Sequence, residues 1–140
     1  MEILQPDDWP RPKGYANGII SEGRLVFVAG QIGWNSEERF ASPCMAHQVE
    51  QALTNVLDVL AVGGAGPEHV VRMTWYVTDK HEYREKAKDI GAAYRKTFGK
   101  HFPVMTLVQV AALLEDEAKV EIECTAVLPV AQERTPEESR

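Results

Sequence analysis

Few side chains in this sequence stand where they could do chemistry, and the first to consider are acidic. Glu121 and Glu123 alternate with Val120 and Ile122, so on a strand both carboxylates project from one face. A carboxylate partly withdrawn from water can hold a water molecule or move a proton near neutral pH. The same alternation belongs to any strand with one wet face, and spacing alone does not separate the two readings. Cys44 lies near a helix start, a setting that can activate a thiol, although a lone thiol there is more often inert. His47, His69, His81 and His101 show no HxH or HxxxH spacing, so no metal site is expected. Gly63-Gly64-Ala65-Gly66-Pro67 lacks the Lys-Ser/Thr of a phosphate loop and ends a helix, which makes it a turn.

The elements that must position these groups can be read from periodicity. Tyr15 to Ser21, the turn Glu22-Gly23 and Arg24 to Ala29 read as a hairpin, broken after Ala29 by Gly30-Gln31-Ile32-Gly33. Ser42-Pro43 opens a helix carrying Ala46, Val49, Leu53, Val56, Leu57 and Leu60 on one face. From Val71 the period becomes two, with Met73, Trp75 and Val77 on the apolar side, so Trp75 reads as core. A second helix carries Tyr83, Ala87, Ile90, Tyr94 and Phe98 and stops near Gly99. Strands Val104 to Ala112 and Lys119 to Leu128 follow, joined across the acidic turn at 114–117. The expected fold is α+β: a mainly antiparallel or mixed sheet with two helices packed on one face. Residues 1–130 form one domain, and 131–140 a polar, frayed tail.

Bulk properties narrow the class of function. With 140 residues, 44% hydrophobic and 26% charged, the chain suits one globular domain, and no apolar run is long enough to span a membrane. The first twelve residues carry two aspartates and three prolines where an export signal would be basic and then apolar. Cys44 and Cys124 show no pairing distance in sequence, so reduced thiols in a cytoplasm are expected. A net charge of -6 with scattered basic residues argues against a nucleic-acid partner. Val104 to Ala112 is largely apolar on both faces, and two helices cover only one; other copies of the chain are expected to cover the second.

Four segments together resemble one family. They are Gly14-Tyr15-Ala16-Asn17-Gly18, Val28-Ala29-Gly30-Gln31-Ile32, Phe102-Pro103, and Val120-Glu121-Ile122-Glu123-Cys124-Thr125-Ala126-Val127. Over about Gly14 to Val127 the chain resembles the reactive intermediate deaminases (Rid, YjgF or endoribonuclease L-PSP-like proteins), small homotrimers of chorismate-mutase-like fold with clefts between subunits. The resemblance implies cofactor-independent hydrolysis of an enamine or imine in such a cleft. Glu121 would hold or activate water, Tyr15 would face the ligand, and Gly30 would offer its backbone N–H.

The sequence also departs from that pattern. Met105 occupies the place of an arginine that pairs with substrate carboxylate, Leu107 that of a cysteine, and Gly91 that of a helix asparagine. A simple 2-iminoacid then becomes a poor substrate, and a ligand with an apolar portion is expected, walled by Met105 and Trp34. The alternative is a trimer that binds a small molecule or regulates without catalysis. Ribonuclease activity is the reading least compatible with the acidic charge.

Overall fold

The computed structural model describes residues 1–130; the expected tail at 131–140 lies outside them. Three strands follow in order, β1 (Glu2–Leu4), β2 (Gly18–Ile20) and β3 (Arg24–Ile32). Helix α1 (Met45–Val62), strand β4 (Val70–Val77), helices α2 (Lys80–Glu85) and α3 (Ala87–Phe98), and strands β5 (Val104–Gln109) and β6 (Val120–Leu128) complete the chain. The main sheet has the order β3-β6-β4-β5. Its pairs are antiparallel except β4 with β5, which is parallel, so the sheet is mixed. A parallel pair needs a long crossover, and α2 with α3 supplies it.

Both main helices lie on one side of the sheet, as the periodicity predicts. Val49, Leu53, Val56 and Leu60 of α1 are fully buried, together with Met73, Trp75 and Val77 of β4 and Val120 and Ile122 of β6. Burying a side chain the size of Leu53 or Ile122 contributes roughly 1.5–3 kcal/mol, so this layer dominates the core. Glu121, Glu123 and Thr125 alternate with the buried positions of β6 onto the opposite, helix-free face. On that face Leu25 and Phe27 remain 60% and 72% exposed.

Helix α1 begins two residues later than the Ser42-Pro43 signal. Ser42 Oγ accepts the Cys44 backbone N–H at 3.0 Å, so the serine organises the approach and Cys44 is the cap. The second helical stretch is divided at Lys86. Asp79 Oδ1 accepts from the N–H groups of His81 and Glu82, giving α2 its own start.

The expected hairpin does not form. Strand β2 pairs with β1, while β3 pairs along its length with β6. Gly23, at φ 145°, presses so closely on β6 that an added Cβ would lie 2.1 Å from the Leu128 carbonyl oxygen. The chain therefore turns β3 onto the long β6, where far more backbone groups are satisfied than a short β2 could offer. Nor does β3 end at Ala29. It continues to Ile32 after a register shift between Val28 and Gln31, so the glycine there makes a bulge. Strand β5 stops at Gln109, short of the expected Ala112, after the Val110 N–H bonds to the last carbonyl of β4, that of Val77.

Candidate functional site

The segment before β2 is tied to the start of β5. Ala16 donates its N–H to the Pro103 carbonyl at 3.0 Å and bridges to Val104 in parallel. This anchoring brings Tyr15 beside Met105, and both line a cavity of about 550 Å³, a size suited to a small metabolite. Its apolar lining comes from Met105 and Leu107 of β5, Trp75 of β4, Tyr83 of α2, Ala87, Ile90 and Tyr94 of α3, and Phe102. Lys13, Gly14, Gly91 and Arg95 complete it. Met105 thus packs toward the helical side, partly covered by the core.

Aromatic rings stiffen this cavity. Tyr94 stacks on Phe102 with ring centroids 5.7 Å apart and on Phe98 at 5.4 Å, while Trp75 meets Tyr83 edge-on at 6.5 Å. The Tyr94 hydroxyl donates to the His101 carbonyl, and burial raises its pKa well above the ordinary tyrosine value, so the ring stays neutral. Burial raises the Tyr83 pKa as well. Trp75 is 1% exposed, and its Nε1–H is the one buried side-chain polar atom without a hydrogen-bond partner among the described residues.

A second set of expected residues meets elsewhere. Glu121 sits on β6 between Tyr76 of β4 and Ile32 of β3. Gly30, at the bulge, lets the carboxylate lie directly against the backbone: an added Cβ would fall 2.2 Å from Glu121 Oε1. Glu123 is already engaged, accepting the Tyr76 hydroxyl at 2.7 Å. That bond is the main cause of the raised Tyr76 pKa, reinforced by burial and by the negative charges of Glu123 and Glu121 and opposed by Arg72. No protein donor is bonded to the Glu121 carboxylate among the described residues.

Trp34 lines neither place. Its ring lies 5.9 Å from that of Phe40, and its carbonyl accepts from Asn55 Nδ2 at 2.8 Å, which fastens the loop to α1. The structure therefore joins Tyr15 with Met105, and Gly30 with Glu121, and leaves Trp34 apart from both pairs. Arg95 and Lys13 escaped the sequence reading. Arg95 had a visible signal: the residues three and four away on its helix, Gly91, Ala92, Phe98 and Gly99, offer it no carboxylate. Among the described residues no three His, Cys, Asp or Glu side chains are grouped as a metal ion would need. None of the described helices is long and apolar enough to cross a membrane.

A mixed sheet with two main helices on one face, a cavity at the β5 end and an acidic pair on the open face define a small α+β protein of one family. Residues 10–128 match the family described as Endoribonuclease L-PSP, and the chain belongs to it, the Rid/YjgF group whose motifs it resembles. It is 33% identical to a RutC family protein of Synechocystis over 92% of this chain and 98% of that one. It is 30% identical to the 2-iminobutanoate/2-iminopropanoate deaminase of Escherichia coli, over 81% and 86% of the two chains. A crystal structure of a Rid-family protein of unknown function from Yersinia pestis superposes with a TM-score of 0.77 at 29% identity, covering 91% and 98%. The Escherichia coli protein TdcF, crystallised with bound serine, superposes at 0.65 with 28% identity, covering 91% and 99%.

Proposed function

We propose that this protein is a cofactor-independent hydrolase of an enamine or imine, working as a homotrimer with its site between subunits. The observation that carries the reading is the carboxylate of Glu121, held against Gly30 and without a protein hydrogen-bond donor among the described residues, in a chain whose relatives include named imine deaminases. Glu121 takes a proton from water as the oxygen attacks the imine carbon. The nitrogen is protonated and leaves as ammonia, and a carbonyl compound remains. Positioned proton transfer of this kind is worth about 10²–10⁴-fold in rate.

Within one chain Glu121 and the cavity of Tyr15 and Met105 belong to separate surfaces. A cleft that uses both is completed by a neighbouring copy, and the exposed Leu25 and Phe27 supply an apolar face for that contact. Met105 stands where the resemblance places a carboxylate-binding arginine, so small 2-iminoacids are poor substrates. The decisive experiment follows pyruvate release from enzymatically generated 2-aminoacrylate, beside the Escherichia coli deaminase as control. Little acceleration with 2-aminoacrylate is expected, and ammonia release from bulkier imines that disappears in Glu121→Gln. Light scattering at the mass of one 15.6 kDa chain at micromolar concentration would remove the shared cleft.

The apolar Met105 also favours a second reading, a trimer that binds a small molecule without turning it over. Metabolites that raise the melting temperature while no ammonia appears would select it.

A further inference from the structure

The cavity beside Tyr15 has a charge pattern that the composition does not lead one to expect. The chain holds 21 acidic and 15 basic residues, yet among the described residues no Asp or Glu lines this cavity, while Arg95 and Lys13 both do. Neither takes part in an ion pair among the described residues, although the adjacent Lys96 pairs with Glu50. Trp75, whose buried Nε1–H has no protein acceptor among the described residues, lines the same cavity.

Gly91 belongs to the same arrangement. Glycine in a helix interior is unfavourable, and nothing in its backbone angles requires it here. An added Cβ at 91 would lie 3.3 Å from Arg95 Nη1, so the guanidinium lies along the helix over the bare glycine. A longer side chain at 91 would occupy the guanidinium's place.

We propose that Arg95, aided by Lys13, anchors the anionic group of the ligand, and that the ligand is an amphipathic carboxylate whose apolar body rests on Met105, Leu107 and Phe102. This takes from the reading above only that the cavity is a ligand site; it needs no turnover. Charge enters from the helix where the resemblance would place it on β5, and the floor is left apolar. Arginine suits this role because its planar fork matches a carboxylate with two parallel hydrogen bonds.

Titration calorimetry on the full-length protein with 3-phenylpropanoate, its neutral amide 3-phenylpropanamide, and propanoate tests the idea directly. The aryl acid is expected to bind about tenfold or more tighter than either comparator, with affinity falling as salt rises. Arg95→Gln, at an exposed helix position that leaves folding intact, reduces the acid to the level of the amide; Arg95→Lys retains part of the difference. Gly91→Gln, which displaces the guanidinium, weakens the acid more than the amide and so narrows the difference between them. Equal binding of acid and amide, an Arg95→Gln protein that binds like the parent, or no binding by any probe overturns the proposal. Acid-selective binding without ammonia release from any imine would sink the hydrolase reading alone, whereas turnover with indifference to Arg95 would sink this one alone.

Discussion

Gly30 and Glu121 face each other across β3 and β6 so closely that position 30 has no room for a β-carbon: built there, it would fall 2.2 Å from Glu121 Oε1. The obstructing group is the far end of a flexible side chain, so Gly30→Ala costs little in folding and instead moves the carboxylate. We expect its melting temperature to stay near the parent's while imine hydrolysis drops about 10²-fold or more, approaching Glu121→Gln. Calorimetric melting and ammonia release, measured on the same preparations, check both halves. Retained activity with a displaced carboxylate would exclude Glu121 from the chemistry.

Gln48 predicts a structural effect with no catalytic component. It is 1% exposed, its Nε2 donates to the carbonyls of Ser42 and Glu117, and its Oε1 accepts the Lys119 N–H at 2.8 Å. One side chain thus ties the start of α1 to the turn that launches β6. Gln48→Leu keeps the bulk and orphans those backbone groups, at a cost of about 2–4 kcal/mol. A loss of roughly 6–15 °C in melting temperature follows. A shift below about 2 °C would mean that water replaces the amide there.

The strands and helices were legible where one period ran uninterrupted, as in the face from Val49 to Leu60 and the alternation of Met73, Trp75 and Val77. What escaped depended on partners distant in sequence. Nothing local distinguishes β2 turning back on β3 from β2 pairing with Glu2 to Leu4, because β3 is taken up by β6, a strand far away in sequence. The bulge at Gly30 was visible as a glycine but not as a continuation of the strand. At the site, Tyr15 and Met105 line one cavity because Ala16 bonds to Pro103, a link across the chain that motif spacing cannot express. Trp34 adjoins Gly30 in sequence, yet its side chain follows a loop held by Asn55 and Phe40.

The two cysteines are expected to separate by reactivity. Burial pushes the Cys124 thiol up to about 12, whereas Cys44 is only half-buried. At pH 8 roughly 10⁻⁴ of Cys124 is thiolate, so iodoacetamide should modify Cys44 first and reach Cys124 only on unfolding. The same shift has a stability consequence. The folded pKa lies above the unfolded value of 9.0, so the folded state retains a proton that the unfolded state releases. Its stabilising effect is complete below pH 9 and declines as pH rises toward about 12, and the raised tyrosines 76, 83 and 94 act in the same direction above their ordinary value of 10.0. Urea midpoints should fall between pH 9 and pH 10.5, less steeply in Cys124→Ala. Equal slopes in the two proteins would refute the assignment to Cys124.

Met105 offers the sharpest control on substrate choice, because it shares the cavity with Tyr15 and is only partly covered by the core. Met105→Arg keeps a flexible unbranched stem and adds a guanidinium, which can pair with a small carboxylate that the parent's apolar floor cannot hold. Arg95 lines the same cavity, so the empty variant carries like-charge repulsion and should be destabilised by about 1 kcal/mol at low salt, less as salt is raised. Pyruvate release from 2-aminoacrylate should rise about tenfold over the parent, mostly through a lower KM, because the new contact acts on the bound carboxylate and not on the reacting carbon. Combining Met105→Arg with Glu121→Gln should cancel the gain. An unchanged rate with 2-aminoacrylate, in a variant that still folds and still binds carboxylates, would mean that residue 105 lies outside the working cleft.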